Sequence, residues 1–229
     1  MNVKLIAITK SLLPGRPSPE QLIEYAGRVC WRTELAPDDA SCERFIDALV
    51  KKAHLSVIEH CSASFEISGV SRSCTHQLVR HRISSQDPLG ETMHDYDLRL
   101  SISQESMRYV DQDNSEYICP ESIGNHVNHH KLFQAHMQQA WALNHQLRKA
   151  GIRKEDARYV LPIAAASRLV LTMNFRSWLH FCEVRCHPAA QWEIRAVAMQ
   201  TLRQLHEQAP TVFGAVSYTH LTLPTILLV

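Results

Sequence analysis

The sequence predicts mixed α and β structure in one domain, and three observations lead to this fold class. A chain of 229 residues is long enough to bury a substantial core. Residues 60–70 alternate apolar and polar side chains like a strand with two unlike faces, whereas residues 189–209 repeat apolar side chains at the spacing of an amphipathic helix. Strands and helices do not alternate regularly along the chain, so the pattern disfavours a doubly wound parallel sheet.

The N-terminal part is predicted to contain a strand and two helices before the strand at residues 60–70. Residues 2–8 alternate well enough for the first strand. The first helix is predicted over residues 18–31, because a serine, a proline and a glutamine stand in the order that is typical of a capped helix start. A second helix is predicted after Asp38. Residues 75–82 then form a core-facing stripe that ends in an Arg-His-Arg triplet, and we place this triplet at the end of a strand.

The C-terminal part is predicted to be mostly helical, with one further strand. Residues 84–99 include Pro88 and Gly90 and show little periodicity, so they are interpreted as a loop. Helices are predicted over residues 126–149, 154–161, 175–185 and 189–209, and a strand over residues 167–174.

Composition and charge exclude several classes of partner. The formal net charge is +1 and 21% of the residues are charged, so no general basic field indicates binding to nucleic acid or to an anionic membrane surface. No apolar run approaches the ~18 residues of a membrane span. Seven cysteines without a CxxC pair are typical of reduced thiols, so we expect a cytoplasmic protein.

The candidate functional residues are mainly arginines, several of which are expected to have no matching carboxylates nearby. A guanidinium group is well suited to bidentate recognition of phosphate, so such a set predicts a local anion site. The alternative for any one of these arginines is a solvated surface charge. The polar residues left over after the predicted faces are assigned are Gln77, Arg80, His81, Arg82, Gln104, Ser106, Arg108, Arg158, Asn174, Arg176, His180 and Arg185.

A metal site and the common nucleotide-binding loops are not predicted. The histidines His126, His129, His130 and His136 have no cysteine pair or HExxH pattern with them, so a solvated helix face is the better interpretation. The chain also contains neither GxGxxG nor GxxxxGK[ST], and we therefore expect neither a Rossmann site nor a P-loop.

Five segments together resemble the flavin-dependent thymidylate synthase family. The signature of that family is an Arg-His-Arg element followed by a serine-rich segment that ends in Arg-Tyr, and Arg80-His81-Arg82 and Ser106-Met107-Arg108-Tyr109 match it here. The similarity runs from about residue 3 to residue 214. The segments that carry it are residues 54–82, 101–110, 157–162, 174–185 and 190–195.

The resemblance implies a fold, a reaction and an assembly. The fold would be α+β, with a central, mostly antiparallel sheet flanked by helices in a domain over residues 1–215. The reaction would be reductive methylation of dUMP to dTMP, with methylene-tetrahydrofolate as carbon donor and NADPH reducing the enzyme through FAD. The chain would form a homotetramer whose sites draw on more than one subunit. No nucleic acid or membrane partner is expected.

The resemblance also implies roles for individual residues. Those that match flavin-contacting positions are Ser56, Arg80, His81, Arg82, Gln104, Asn174, Phe175, Arg176 and His180. Those that match dUMP-contacting positions are Gln77, Leu78, Val79, Arg80, Gln104, Glu105, Ser106, Met107, Arg108, Arg158 and Arg185. Arg185 matches the position that stabilises charge on the uracil ring, so it is the expected catalytic residue.

No cysteine nucleophile is expected, although two cysteines lie near the motif residues in the sequence. Cys182 is turned about 200° from His180 if both lie on one helix. The direction of Cys74, which we place on a strand, is left open.

Two departures from the family pattern leave questions open. The family usually has two residues between Arg-His-Arg and the first serine of the next motif, whereas eighteen intervene here if Ser101 is that serine. If Ser85 takes that place instead, the insertion follows it. Residues 216–225 match one reading frame of a common transposon-based sequencing adapter, so we expect residues 216–229 to be a non-native tail.

Two other functions are compatible with the same residues. A nucleotide- or RNA-binding module could use these arginines without any turnover. A catalytically inactive homologue could result from the insertion at residues 84–99 or from the altered C-terminus.

Overall fold

A four-stranded sheet organises the chain. The computed structural model describes residues 1–35, 38–82, 100–110 and 116–222. Within these ranges the strands lie in the order β1-β2-β4-β3. The strands are β1 (Asn2–Ile8), β2 (Ser62–Ser71), β3 (Leu100–Gln104) and β4 (Ala166–Asn174).

Helices account for most of the rest of the described chain. The α-helices are α1 (Pro19–Trp31), α2 (Asp39–Lys51), α3 (Arg72–Leu78), α4 (Glu121–Gly124), α5 (Val127–Lys149), α6 (Lys154–Ala157), α7 (Phe175–Arg185), α8 (Trp192–Gln208) and α9 (Pro210–Ser217). Short 3₁₀ turns cover Leu55–His60, Val79–Arg82 and Arg158–Val160, and a π-helical turn covers Tyr218–Thr222.

The first strand pair is antiparallel, and a glycine allows its close approach. The Thr9 amide donates to the Ser62 carbonyl at 2.9 Å at one end of the pair, while Met1 lies against Gly69 at the other. Gly69 has φ +66°, and a Cβ there would lie 3.1 Å from the Met1 nitrogen. Glycine is therefore required here both by the left-handed backbone and by the neighbouring chain.

Strands β2 and β4 are also antiparallel. The Arg72 amide donates to the Ala165 carbonyl at 3.0 Å, and the hydroxyls of Ser64 and Thr172 are 2.7 Å apart. Residue numbers thus rise along one strand as they fall along the other. The predicted α+β class, a single domain built on an antiparallel sheet, is confirmed.

The domain divides into two compact units. Unit 1 contains residues 1–2, 67–79 and 103–169, and unit 2 contains residues 3–66, 80–102 and 170–229, of which only the described residues are discussed. The boundary passes through all four strands, so each strand has residues in both units.

The core of unit 2 is built around α7 and the first part of β2. Trp178 is fully buried, and its indole nitrogen donates to the Ala63 carbonyl at 3.0 Å. Its ring meets Phe65 and Phe181 edge to face, at centroid distances of 5.0 Å and 5.5 Å. Buried aromatic pairs of this kind add about 0.5–1.5 kcal/mol to the free energy gained from burial alone.

The core of unit 1 is formed by one face of α5. Met137, Ala140 and Trp141 are buried there together with Met107 and Ala165. The helix ends at Lys149, and Gly151 follows with φ +87°, a left-handed conformation that glycine adopts without strain. The predicted long helix and its glycine stop are confirmed.

The segment leading into Arg80-His81-Arg82 is helical, so its predicted strand is wrong. Ser71 caps α3 by accepting from the Cys74 amide at 3.0 Å. Cys74, Thr75 and Leu78 then share the buried face of the helix. A short apolar run fits a buried strand and a buried helix equally well, and here the serine cap decides.

Other differences concern short elements. Strand β3 was not predicted, and neither were α4 or α9. The predicted loop at residues 84–99, including Ser85, lies outside the described residues. The proposed boundary at residue 216 falls inside α9, where Val216 and Ser217 are buried, and the non-native tail stays a prediction. Among the described residues, no helix has both the length and the hydropathy needed to span a bilayer.

A buried carboxylate caps α9. Glu20, from α1, accepts from the Thr211 amide at 2.7 Å, the Thr211 hydroxyl at 2.9 Å and the Val212 amide at 3.1 Å. Amides in the first turn of a helix have no hydrogen-bond acceptor within the helix, and a carboxylate at this position provides one. Burial raises the pKa of Glu20, and the hydrogen bonds from Val212 and Thr211 oppose that rise.

We expect Glu20→Ala to lower the free energy of unfolding by about 2 kcal/mol, because it leaves the Thr211 and Val212 amides without their acceptor. Glu20→Gln should cost less, since an amide oxygen still accepts and no charge is buried. Urea unfolding of both variants measures the difference, with the exposed Glu207→Ala as control. Equal losses for alanine and glutamine would contradict the capping role.

Candidate functional site

The predicted site residues fall into two groups, one in each unit. The unit 2 group contains Ser56, Arg80, His81, Arg82, Asn174, Phe175, Arg176, His180 and Arg185. The unit 1 group contains Gln77, Leu78, Val79, Gln104, Glu105, Ser106, Met107, Arg108 and Arg158.

In unit 2, the first turn of α7 contacts the 3₁₀ turn Leu55–His60. The Arg176 guanidinium is 2.6 Å from the Glu59 carboxylate, and Ser56 is exposed on the same turn as Glu59. Asn174 is the N-cap of α7, and its side chain accepts from the Ser177 amide at 2.8 Å. The start of α7 therefore presents both a cation and a carboxylate at this turn.

The last turn of α7 is joined to the Arg-His-Arg triplet. The Nε atom of Arg185 donates to the Nε2 atom of His81 at 2.7 Å. The His81 ring meets Phe181 edge to face at 5.0 Å, and its centroid is 6.5 Å from that of His180. Arg80, the preceding residue in the same 3₁₀ turn, is exposed.

Both histidines of the unit 2 group have lowered pKa values. Burial, followed by the charge of Arg185 and by His180, lowers the pKa of His81 to about 4. Burial and then Arg185 also lower the pKa of His180. His81 is therefore neutral at physiological pH, and the triplet carries less positive charge than its sequence suggests.

In unit 1, Gln104 is fixed by two hydroxyl groups. Its Nε2 atom donates to Thr75 Oγ1 and to Ser167 Oγ, both at 2.9 Å. The Thr75 hydroxyl in turn donates to the Arg72 carbonyl at 3.0 Å, so its single proton is used there. The side-chain amide of Gln104 is thus oriented before any ligand binds.

Arg72 and Arg158 bring two guanidinium groups into the same unit. Arg72 donates to the Glu105 carbonyl at 3.0 Å, while its buried Nε atom has no hydrogen-bond partner among the described residues. Burial lowers the pKa of Arg72; Glu105 opposes this, and the charge of Arg158 lowers it further. Arg158 donates its own Nε to the Glu155 carbonyl at 3.1 Å. An anion between such groups would relieve their repulsion.

Arg108 lies at the surface of unit 1 next to a carboxylate. It is 3.4 Å from Glu155, it lies 5.5 Å over the Tyr109 ring, and its amide donates to Ser106 Oγ at 3.2 Å. The expected absence of carboxylates near the arginines is therefore wrong for Arg108, as it is for Arg176. Their partners are distant in sequence, so only the tertiary fold brings them together.

Three predicted site residues have side chains in the core. Phe175 is fully buried against Phe213, and its amide donates to the Cys61 carbonyl at 2.8 Å. Leu78 is also fully buried, and Met107 belongs to the core cluster of unit 1. Any contact of these residues with a ligand would have to use their backbone. The side chain of Arg82 lies outside the described part of the structure.

Several residues that contact the two groups were not predicted from the sequence. Glu59, Arg72, Thr75 and Ser167 contact predicted site residues through the hydrogen bonds described above. Arg72 offered a usable signal, because it is an arginine just after an apolar strand. Thr75 and Ser167 gave no such signal in the sequence, because single hydroxyl residues are common on any helix or strand.

The described residues contain no set of three or more histidine, cysteine, aspartate or glutamate side chains arranged to hold a metal ion. Of the cysteines, Cys74 and Cys182 are fully buried. Burial, followed by Cys186 and Glu183, raises the pKa of Cys182 far above its usual range. A buried thiol with a raised pKa is a poor nucleophile.

Comparison with known proteins identifies the family. Residues 10–211 match the family described as thymidylate synthase complementing protein. A flavin-dependent thymidylate synthase from Geobacter sulfurreducens is 37% identical over 89% of this chain and 84% of that protein. The relative of the same description from Nitratidesulfovibrio vulgaris is 39% identical over the same shares. The chain belongs to this family. The resemblance drawn from the motif residues is thus confirmed.

A solved structure shares the fold of this family member. The crystal structure of a UMP/dUMP methylase PolB from Streptomyces cacaoi bound with 5-Br dUMP aligns with a TM-score of 0.76 and 24% sequence identity. The alignment covers 95% of this chain and 94% of that one. The range matched by the thymidylate synthase family includes every residue of both groups.

For this family member, we expect acid to destabilise the fold partly through His81. Its pKa in the folded chain is about 4, below the usual 6.5, so only the unfolded chain gains a proton as the pH falls from about 6.5 to about 4. The contribution of His81 to the free energy of unfolding is complete above about pH 6.5 and decreases below that pH. At about pH 5 it has fallen by about 2 kcal/mol.

His81→Gln removes this titration, so its free energy of unfolding should fall less between about pH 7 and about pH 5 than that of the unmodified chain. Arg185 and His180 face the ring and are unchanged in the variant. Urea unfolding at the two pH values gives the comparison, with the exposed His136→Gln as control. Parallel pH curves for His81→Gln and the unmodified chain would show that His81 is not held neutral.

Proposed function

We propose that this protein is a flavin-dependent thymidylate synthase that converts dUMP to dTMP by reductive methylation. Methylene-tetrahydrofolate is the carbon donor, NADPH is the reductant and FAD is the cofactor. The observation that carries the proposal is the match of residues 10–211 to the family, together with 33–39% identity to relatives of that name over most of the chain. Both groups of polar residues lie within this range.

The unit 2 group fits a flavin dinucleotide. Its pyrophosphate calls for charge-assisted donors, and the exposed Arg80 and the partly exposed Arg176 supply two guanidinium groups. The neutral rings of His81 and His180 add polar groups without adding charge. When bound, FAD supplies hydride transfer between NADPH and the reacting carbon. Ser56, Arg82 and Asn174 complete the proposed flavin contacts.

The unit 1 group fits a nucleoside monophosphate. Arg72 and Arg158 repel each other across a partly buried region, so a dianionic phosphate would replace repulsion with two attractive contacts. Arg108 and Ser106 add a surface guanidinium and a hydroxyl. Gln104 offers an oriented amide, which suits a contact that both ligands share. The proposed dUMP contacts also include Gln77, Val79, Glu105 and Arg80.

Arg185 is proposed to stabilise negative charge on the uracil ring when C5 reacts. It is held by a neutral imidazole, so its own charge is not neutralised by that partner. A thiol route would need a cysteine with a lowered pKa, whereas Cys182 has a raised pKa and neither Cys74 nor Cys182 has exposed surface. We therefore propose chemistry without a cysteine nucleophile.

The assembly and location stay proposals. We propose a homotetramer whose sites are shared between subunits and which works in the cytoplasm on small-molecule substrates. Seven cysteines that form no disulfide and a net charge of +1 are consistent with this. The domain is proposed to cover residues 1–215.

The deciding experiment is to purify the chain, record its flavin absorption, and follow NADPH oxidation and dTMP formation with and without dUMP. A yellow protein that forms dTMP only when dUMP and methylene-tetrahydrofolate are present supports the proposal. A colourless protein that binds RNA without turnover would favour a binding module instead. Flavin binding without dTMP formation would indicate an inactive homologue.

We expect Arg108→Lys and Arg158→Lys each to raise the half-saturating dUMP concentration by about tenfold, because an ammonium group cannot reproduce a guanidinium fork. NADPH-dependent flavin reduction in the absence of dUMP should continue. Arg203→Lys, an exposed position on α8, serves as the control. A dUMP titration that is unchanged in both variants would remove these two arginines from the substrate site.

We expect Arg185→Ala to abolish dTMP formation while flavin stays bound, because the charge on the ring is then no longer stabilised. Cys74→Ala and Cys182→Ala should still form dTMP. Mass spectrometry of the product and the flavin spectrum measure the two effects separately. If either cysteine variant keeps its fold, flavin and dUMP binding but forms no dTMP, the thiol-free mechanism is wrong.

A further inference from the structure

We propose that His81 is a positioning residue, which holds the Arg185 guanidinium in place through a neutral imidazole nitrogen and adds no negative charge beside it. The proposal rests on the function proposed above, because that function assigns Arg185 to dUMP. It gives His81 a role that does not depend on touching the flavin.

The direction of the hydrogen bond fixes the state of the imidazole. Arg185 Nε and His81 Nε2 are 2.7 Å apart. A guanidinium group has only donors, so the Nε2 atom must carry a lone pair and the single ring proton must be on Nδ1. A protonated His81 could not accept this bond and would repel Arg185.

The His81 ring is itself immobilised. It is only 8% exposed, and it meets the fully buried Phe181 edge to face at 5.0 Å with an interplanar angle of 78°. Phe181 and Arg185 lie one turn apart on α7, so the helix that carries the arginine also packs against its acceptor. Arg185 is therefore ordered before a ligand arrives, which lowers the entropy cost of binding.

Other arginines of the two groups are held differently. Arg176 is paired with the Glu59 carboxylate at 2.6 Å and Arg108 with the Glu155 carboxylate at 3.4 Å. A carboxylate orders a guanidinium but also neutralises its field. An imidazole orders it without adding negative charge, which suits a residue that has to stabilise an anionic ring. The bond to His81 also involves only Nε, so it does not use the Nη hydrogens.

The surroundings keep the imidazole neutral. Burial, the charge of Arg185 and the nearby His180 all lower the pKa of His81, to about 4. The His81 ring therefore stays neutral over the physiological pH range, and no protonated ring is buried next to the guanidinium.

The test compares three substitutions that differ in reach and in charge. His81→Gln places an amide oxygen near the position of Nε2, whereas His81→Asn is shorter by one methylene and does not reach. His81→Glu has the shape of His81→Gln but adds a negative charge. Flavin content, the dissociation constant for dUMP and the rate of dTMP formation are measured for each, with the exposed His136→Gln as control.

Distinct results are expected for the three variants. His81→Gln should bind dUMP about threefold more weakly than the unmodified chain, and His81→Asn about tenfold or more. His81→Glu should bind dUMP about as well as His81→Gln but form dTMP at least about tenfold more slowly, because it neutralises Arg185. The three variants are compared at saturating FAD, because His81 is also a proposed flavin contact. A merely structural histidine would not separate binding from rate in this way.

A double-mutant cycle tests whether His81 acts through Arg185. In an Arg185→Ala background, His81→Asn should weaken dUMP binding no further, since its effect acts through the missing arginine. If His81→Asn does not fold, the comparison of His81→Gln with His81→Glu decides alone. Equal rates for those two variants or additive effects in the cycle would overturn the proposal. Failure of the unmodified chain to bind dUMP would instead overturn the proposed function, and this inference with it.

Discussion

The packing of α7 against the first part of β2 is the constraint on which the unit 2 group depends. Trp178 and Phe175 are fully buried, and each also donates a hydrogen bond to a carbonyl beside or within β2, at Ala63 and Cys61. Hydrophobic burial gives the helix its affinity for the sheet, while the two directional bonds fix its rotation and its register. Since Arg176, His180 and Arg185 are all on α7, their positions follow from this packing.

Charge in the two units is arranged by tertiary partners rather than by sequence neighbours. Arg80-His81-Arg82 looks like three adjacent positive groups, yet burial makes the central histidine a neutral acceptor for Arg185. Arg176 and Arg108 gain carboxylate partners, whereas Arg72 is partly buried next to the charge of Arg158. Two of these arginines are thus paired with carboxylates, whereas Arg185 donates to a neutral ring and Arg72 lies near a second cation.

The unit 1 group shows how hydroxyl groups prepare a site for binding. The Thr75 hydroxyl donates a hydrogen bond to the Arg72 carbonyl and accepts one from Gln104, which also donates to Ser167. These groups are hydrogen-bond partners of one another, so the amide of Gln104 is oriented by the fold alone. Because Arg72 donates to the Glu105 carbonyl as well, this network links α3 to the chain segment after β3.

The sequence by itself determined the local elements and the family. Ser18 and Gln21 form the predicted capping box, the glycine after α5 ends it, and the motifs around Arg80 and Arg108 identify thymidylate synthase relatives. These features are local, since caps and periodic faces depend on residues only a few positions apart. Only the tertiary structure decided that residues 72–82 are helical, that Arg176 meets Glu59, and that His81 is neutral. Those outcomes depend on burial and on partners up to 117 residues away in the chain, and no local pattern specifies them.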